Sequence, residues 1–163
     1  MILSLKAVFS LCLSFLVIVL LAGCDSAISA EPRDLLLAPD DVPSTGVSVV
    51  SLTEEQSLDG PSAQVKLQGA GFQVVQSLVV FENREVALSA LDGIRADLVS
   101  RGETGPGQPE ASGVFEHKLG NEEAASLFFI ENNGLVRLTV TGPDRKARLS
   151  ELADVARDKL NSS

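Results

Sequence analysis

The sequence predicts an α+β fold. An antiparallel sheet of about five to six strands is covered by two amphipathic helices, after an N-terminal signal helix. Three observations carry this expectation. Short apolar runs, several of them alternating, are separated by glycine-rich turns, as in hairpin-linked strands. Two later stretches repeat apolar residues at steps of three and four, as helices do. Ahead of both, Ala7 to Ala22 is uncharged and mostly apolar, behind one cation, Lys6.

That first run has 16 residues. As a helix it would be about 24 Å long, short of a ~30 Å hydrocarbon core. A positive start, a short apolar core and small residues at its end make a secretory signal over residues 1–23. Leu21-Ala22-Gly23-Cys24 resembles the bacterial lipobox. The resemblance implies cleavage before Cys24 and a thioether-linked diacylglycerol on its sulfur, with acyl chains such as palmitate. Two acyl chains hold a protein on a bilayer where one holds it only reversibly. Cys12 leaves with the signal, so no thiol remains for a disulfide or a metal.

Charge is unevenly placed. The chain has 13 Lys and Arg against 22 Asp and Glu, and loss of Lys6 takes the formal charge from −9 to −10. This excludes phosphate-driven nucleic-acid binding and electrostatic attraction to anionic lipid. From Cys24 to Gly60 there are eight acids and one base, Arg33. Residues 24–33 read as a flexible acidic tether, with Pro32 disfavouring helix. A single domain is expected over 34–163. Leu35, Leu36 and Leu37 are too apolar for a free linker and are expected to pack as a turn that opens it.

The elements follow in order. Val47 to Leu52 reads as a strand, Asp59-Gly60-Pro61 as a turn, and Ala63 to Gln68 as a strand with Val65 and Leu67 inward. Gly69-Ala70-Gly71 reverses the chain into Phe72 to Phe81, whose end, Leu78-Val79-Val80-Phe81, suggests burial on both faces. Glu82 or Asn83 caps a helix in which Ala87, Leu91, Ile94 and Leu98 share a face, and Gly102 ends it. Arg101 to Gly113 is a loop. Val114 to Leu119 is an edge strand. Ala124 to Glu131 and Leu135 to Thr141 form a hairpin about Asn132-Asn133-Gly134, with Asn-Gly supplying positive φ. Val136, Leu138 and Val140 point one way, and Arg137, Thr139 and Thr141 the other. Pro143-Asp144 opens a last helix with Leu149, Leu152, Ala156 and Leu160 on one face.

Two motifs add a resemblance. Leu35-Leu-Leu-Ala-Pro-Asp-Asp-Val-Pro43 and Leu119-Gly-Asn-Glu-Glu-Ala124 resemble segments of small bacterial cell-surface lipoproteins of the sensor-like and PsbP-like α/β sandwich kind. The second departs in Asn121 and in an extra glutamate. The resemblance implies a fold and carries no catalytic residue.

Little in the chain points to chemistry. It contains no His-Glu-x-x-His, Gly-x-Ser-x-Gly, Cys-x-x-Cys or P-loop. His117, the one histidine, sits between Glu116 and Lys118 on the edge strand and reads as a surface residue. The acid pairs Glu122-Glu123 and Asp40-Asp41 read as solvated loop charge. The five phenylalanines outside the signal lie in strands and read as core. Arg145, Lys146 and Arg148 crowd the first turn of the last helix, where the macrodipole favours anions. They are the candidate interaction residues, for an acidic partner or the cell-wall polymer, with Asp144 and Glu151 as local relief.

The expectation is therefore a lipoprotein anchored through Cys24 to the exported side of the cytoplasmic membrane, in the cell envelope. Its domain is a non-catalytic binding or interaction module with no cofactor and no metal. Its partner is a protein or a small ligand. The alternative is a carrier of a small apolar or lipid ligand in a pocket between sheet and helices.

Overall fold

The computed structural model describes residues 27–100 and 114–162. The signal segment, Cys24, Gly102 and the rest of the Arg101–Gly113 loop lie outside the described residues.

The fold is α+β, with six strands in one antiparallel sheet. They are β1 Ser48–Gln56, β2 Pro61–Gly69, β3 Phe72–Val80, β4 Val114–Leu119, β5 Glu122–Glu131 and β6 Gly134–Thr141. Helix α1 spans Arg84–Ser100 and α2 spans Arg145–Asn161. The spatial order is β1-β2-β3-β6-β5-β4. Two three-strand meanders thus meet through their last strands, and each is followed by a helix. β1 and β4 are the edges.

Period-two alternation sorts the side chains onto two faces. On one face, Val65, Leu67, Val74, Leu78, Val136, Leu138, Leu127 and Phe129 form the main core with Leu149, Leu152, Ala156 and Leu160 of α2. On the other, Ala87 and Leu91 of α1 pack with Phe81 and Leu135, flanked by Val79, Phe128 and Ile130. The helices therefore cover opposite faces. Leu78 and Val79 fall in different cores, which accounts for the unbroken apolar run at the end of β3. Each fully buried Leu or Phe contributes about 1.5–3 kcal/mol by leaving water.

Helix α2 covers β5 and β6, and the space beside it over β2 and β3 is taken by the N-terminal segment. Leu35, Leu36, Leu37 and Val42 are buried there. The Leu37 N–H donates to Gln76 Oε1 at 2.7 Å, and Asp41 accepts a bond from the Lys159 ammonium. Packing begins at Ile28, inside the stretch that the sequence reads as tether. Its N–H donates to Asn133 Oδ1 at 2.8 Å. The Asn133 amide in turn donates to the Phe81 carbonyl at 2.6 Å. One buried side chain thus joins the β5–β6 turn, the end of β3 and the start of the packed chain.

The β5–β6 turn differs in detail from the expectation. Glu131 pairs with Gly134, so Asn132 and Asn133 are the central residues. Positive φ falls on Asn132, at +54°. Gly134 is needed for space instead, because a Cβ there would lie 2.7 Å from Ile28 Cδ1 and 3.0 Å from Leu78 Cδ1. The β4–β5 turn is equally short. Leu119 pairs with Glu122 across Gly120-Asn121, and Gly120 takes φ +64°. Asn83 caps α1, accepting the Val86 N–H at 2.9 Å.

Candidate functional site

Edge strand β4 sends its side chains alternately to the two faces, and each set meets a polar cluster. On the α2 face, Glu116 accepts a bond from Arg145 at 2.9 Å and pairs with Lys146 at 2.8 Å. Glu123 of β5 accepts a second bond from Arg145 at 2.7 Å. The Lys146 bond, with help from Arg145, holds the Glu116 carboxyl below the ordinary glutamate range despite some opposing desolvation. The Arg148 guanidinium lies 3.9 Å from the centroid of the Phe72 ring.

The three cations singled out by the sequence are thus engaged by their own chain. Each misplaced charge at a helix N-terminus costs about 0.3–1 kcal/mol. The exposed ion pairs return little, being screened by solvent, and a cation over a ring returns about 0.5–1 kcal/mol. These contacts oppose the cost of the crowding, and the Nε atoms of Arg145 and Arg148, buried without a hydrogen-bond partner, add to it. The compensating partners are the strand acids Glu116 and Glu123. The Asp144 side chain makes no capping bond, and its backbone takes φ +56°.

On the α1 face, His117 Nε2 lies 2.9 Å from Ser126 Oγ, which lies 2.7 Å from Thr139 Oγ1. His117 Nδ1 faces the Lys118 carbonyl at 3.3 Å. A proton on Nδ1 gives every atom a partner. Nδ1–H donates to the carbonyl, the Ser126 hydroxyl donates to Nε2, and the Thr139 hydroxyl donates to Ser126. Phe115 stacks on His117 with centroids 5.2 Å apart and on Phe128 at 5.7 Å. The Arg137 guanidinium lies 5.6 Å from the Phe128 centroid.

Ser126, Thr139 and Thr141 are buried on this face. Their hydrogen bonds meet the cost of that burial. Thr141 accepts the Gln73 N–H at 3.1 Å. The His117–Ser126 pair has the composition of a nucleophile and its base. Its geometry is structural, because the Ser126 oxygen is wholly buried and bonded on both sides, and a main-chain carbonyl orients the imidazole.

Sequence reasoning missed Ser126 and Thr139. The signal that finds them is register. Once Gly120-Asn121 is read as a two-residue turn, His117 falls opposite Ala124 and diagonal to Ser126. The acid pairs separate. Glu123 serves Arg145, while Asp41 accepts the Ala38 N–H at 2.7 Å and the Lys159 ammonium. Burial raises the Asp41 pKa, but these two donors outweigh it and hold the carboxyl below its usual value. Among the described residues no three His, Cys, Asp or Glu side chains gather to hold a metal.

The second edge is different. All nine β1 residues are exposed. Two cavities of about 310 and 220 Å³ open at the turn end of the β1–β2 hairpin, one on each face, and Glu55 and Ser62 border both. No helix among the described residues is long and apolar enough to cross a membrane.

No protein-family model matches the chain. No curated protein matches it either. Among solved structures, the chain is similar to the extracellular domain of PknH from Mycobacterium tuberculosis, with a TM-score of 0.62 and 14% identity. The match covers 82% of this chain and 97% of that one. At this identity the likeness is one of fold.

Proposed function

We propose that the chain is a lipid-anchored, extracytoplasmic interaction module without catalytic activity. The observation that carries the reading is β1, a nine-residue strand exposed along its whole length at one edge of the sheet. Exposed aliphatic residues on a free edge suit contact with another chain. Two further facts support the reading. The N-terminal 24 residues have the pattern of a lipoprotein signal, and the fold is shared with a domain described as extracellular.

The anchor would also orient the domain. Only Asp25, Ser26 and Ala27 separate Cys24 from Ile28. Even fully extended, that stretch spans about 14 Å. Ile28 is bonded to Asn133 in the β5–β6 turn, and Asn132 donates to the Leu160 carbonyl at the end of α2. The proposed lipid therefore holds this end of the domain toward the bilayer. The start of α2, with Arg145 and Lys146, faces away.

A carrier would need space between the helices and the sheet. Under α2, Leu138, Val136, Leu149 and Leu152 fill the layer, each with no accessible surface.

The test is intact-mass analysis of protein isolated from its own membranes. The expected species begins at Cys24 and carries a diacylglyceryl adduct, and Cys24→Ala releases the protein to the soluble fraction. A species that retains residues 1–23 and a bare sulfur overturns the anchor. A stoichiometric small ligand in the native spectrum overturns the interaction module in favour of the carrier.

A further inference from the structure

We propose that β1 is a docking edge for an extended, basic segment of a partner protein, which adds to the sheet as a seventh strand. The proposal rests on the interaction-module reading and gives it a surface and a partner chemistry.

An edge strand turns half of its main-chain N–H and C=O groups away from the sheet, where another chain can pair with them. Proteins usually guard such edges by keeping them short, by placing Lys or Pro on them, or by covering them. The β4 edge has six residues and includes His117 and Lys118. The β1 edge has nine, Ser-Val-Val-Ser-Leu-Thr-Glu-Glu-Gln, with neither Lys nor Pro. Val49, Val50 and Leu52 are 51%, 55% and 43% exposed. A register irregularity between Val49 and Ser51 disturbs only the start of the strand. From Ser51 to Gln56 the ladder is regular, so the outer edge is regular as well.

The charge on this edge specifies the partner. Glu54 lies on the α2 face and is paired with Arg33 at 2.9 Å. Glu55 points to the opposite face and has no ion pair among the described residues. Glu31, across the cavity of about 310 Å³, has none either. An added strand sends successive side chains to alternate faces. Its neighbouring residues would thus reach the larger cavity, where Glu31 and the Arg33-paired Glu54 share a face, and then the one of about 220 Å³, where Glu55 lies beside Thr53 and Gln64. Main-chain pairing supplies affinity in this mode, and pockets for alternate side chains supply choice. Carboxylates in those pockets select Lys or Arg. Val49 and Leu52 favour small aliphatic residues toward the other end of the segment.

A second copy of this chain is the poorer occupant. Without residues 1–23 it brings a formal charge of −10 to a surface already negative. An antiparallel β1 pair would also bring a second Glu54-Glu55 onto the same edge.

The test uses full-length protein purified from membranes, panned against a phage-displayed library of random nine-residue peptides. The enriched peptides are expected to carry Lys or Arg. A synthetic copy of one is expected to slow hydrogen exchange of amides within Ser48–Gln56. Glu55→Lys should weaken its binding at least tenfold without moving the melting temperature, whereas Glu122→Lys, beside the other edge, should leave binding within twofold. Enrichment without basic residues, protection outside β1, or a concentration-dependent dimer protected at β1 each overturns the proposal. Lipid attachment and the co-purified ligand are read by mass, so those failures are distinguishable from this one.

Discussion

The edges of the sheet are both antiparallel strands, but only β4 is tied into the fold from either side. Phe115 is buried against Phe128 and His117 on the α1 face, and Glu116 joins the first turn of α2 on the other. β1 is held by its ladder to β2 and by one side-chain ion pair, Glu54 with Arg33. The contrast separates what the residues do. Three of the six β4 side chains, Phe115, Glu116 and His117, have stability to account for them, while Val114 and Leu119 at its two ends are exposed. Val49, Val50, Leu52 and Glu55 contribute little to the fold, so their chemistry points outward.

The largest effect should come from breaking the β4 side. Phe115→Ala removes a buried ring and its stacking contacts with His117 and Phe128. A buried Phe→Ala change costs about 3–5 kcal/mol, and an edge position that relaxes belongs at the low end, about 3 kcal/mol. Urea unfolding followed by circular dichroism measures it. A loss under about 1 kcal/mol would make β4 as loosely held as β1 and erase the comparison.

Next is the hydroxyl chain. Ser126→Ala leaves His117 Nε2 and the Thr139 hydroxyl without their shared partner. The expected cost is about 1–2 kcal/mol, since a group left unsatisfied loses its bond without regaining water. A double-mutant cycle with Thr139→Ala should show coupling, because the two oxygens lie 2.7 Å apart. Additive losses would show that the chain does not act as a unit.

These two sites show how far the sequence could be read. The six strands, their order along the chain and both helices were legible, because alternation and glycine turns are local signals. Burial of Leu35 to Leu37 was legible from composition. The face that each helix covers was not, since an amphipathic stripe says that a helix packs and not on which side. His117 with Ser126 depends on register across a turn of two residues. Asn133 with Ile28 joins positions 105 apart and has no local signature. Arg145 and Lys146 were visible as a breach of the macrodipole rule. Their partners lie on strands that sequence alone does not place beside that helix. Thr139 and Thr141 alternate with apolar residues as solvent-facing positions do, yet they are buried because this sheet has layers on both faces.

Acid should weaken the tie between β4 and α2. The Glu116 carboxyl is held below its ordinary value of 4.5 by Lys146 and Arg145. A depressed folded pKa means that the unfolded chain binds the proton first as pH falls. The stabilisation is therefore complete above the unfolded value and is lost as pH drops through the lower folded one. Asp41, held below 3.8 by the Ala38 N–H and Lys159 against the opposing effect of burial, behaves likewise for the N-terminal segment. Melting temperatures of wild type and Glu116→Gln should differ at pH 7 and converge toward pH 3. A difference that persists unchanged to pH 3 would mean that Glu116 acts through packing and not through its charge.

The smallest effect is the sharpest test of the contrast. Leu52→Lys replaces an exposed aliphatic residue with the charge that edge strands commonly carry. Stability should stay within about 0.5 kcal/mol of wild type, as for surface changes remote from any buried contact. Hydrogen exchange should agree, with β1 amides opening at a lower free energy than those of β3 or β6 at the centre of the sheet. If Leu52→Lys instead costs more than about 1 kcal/mol, Leu52 is part of the apolar layer that Val65 and the N-terminal segment share. The β1 side chains would then be explained by the fold, with nothing left over for a partner. If stability holds while peptide binding falls, the aliphatic residues of this edge are retained for contact with another chain, because a lysine there serves the folded domain equally well.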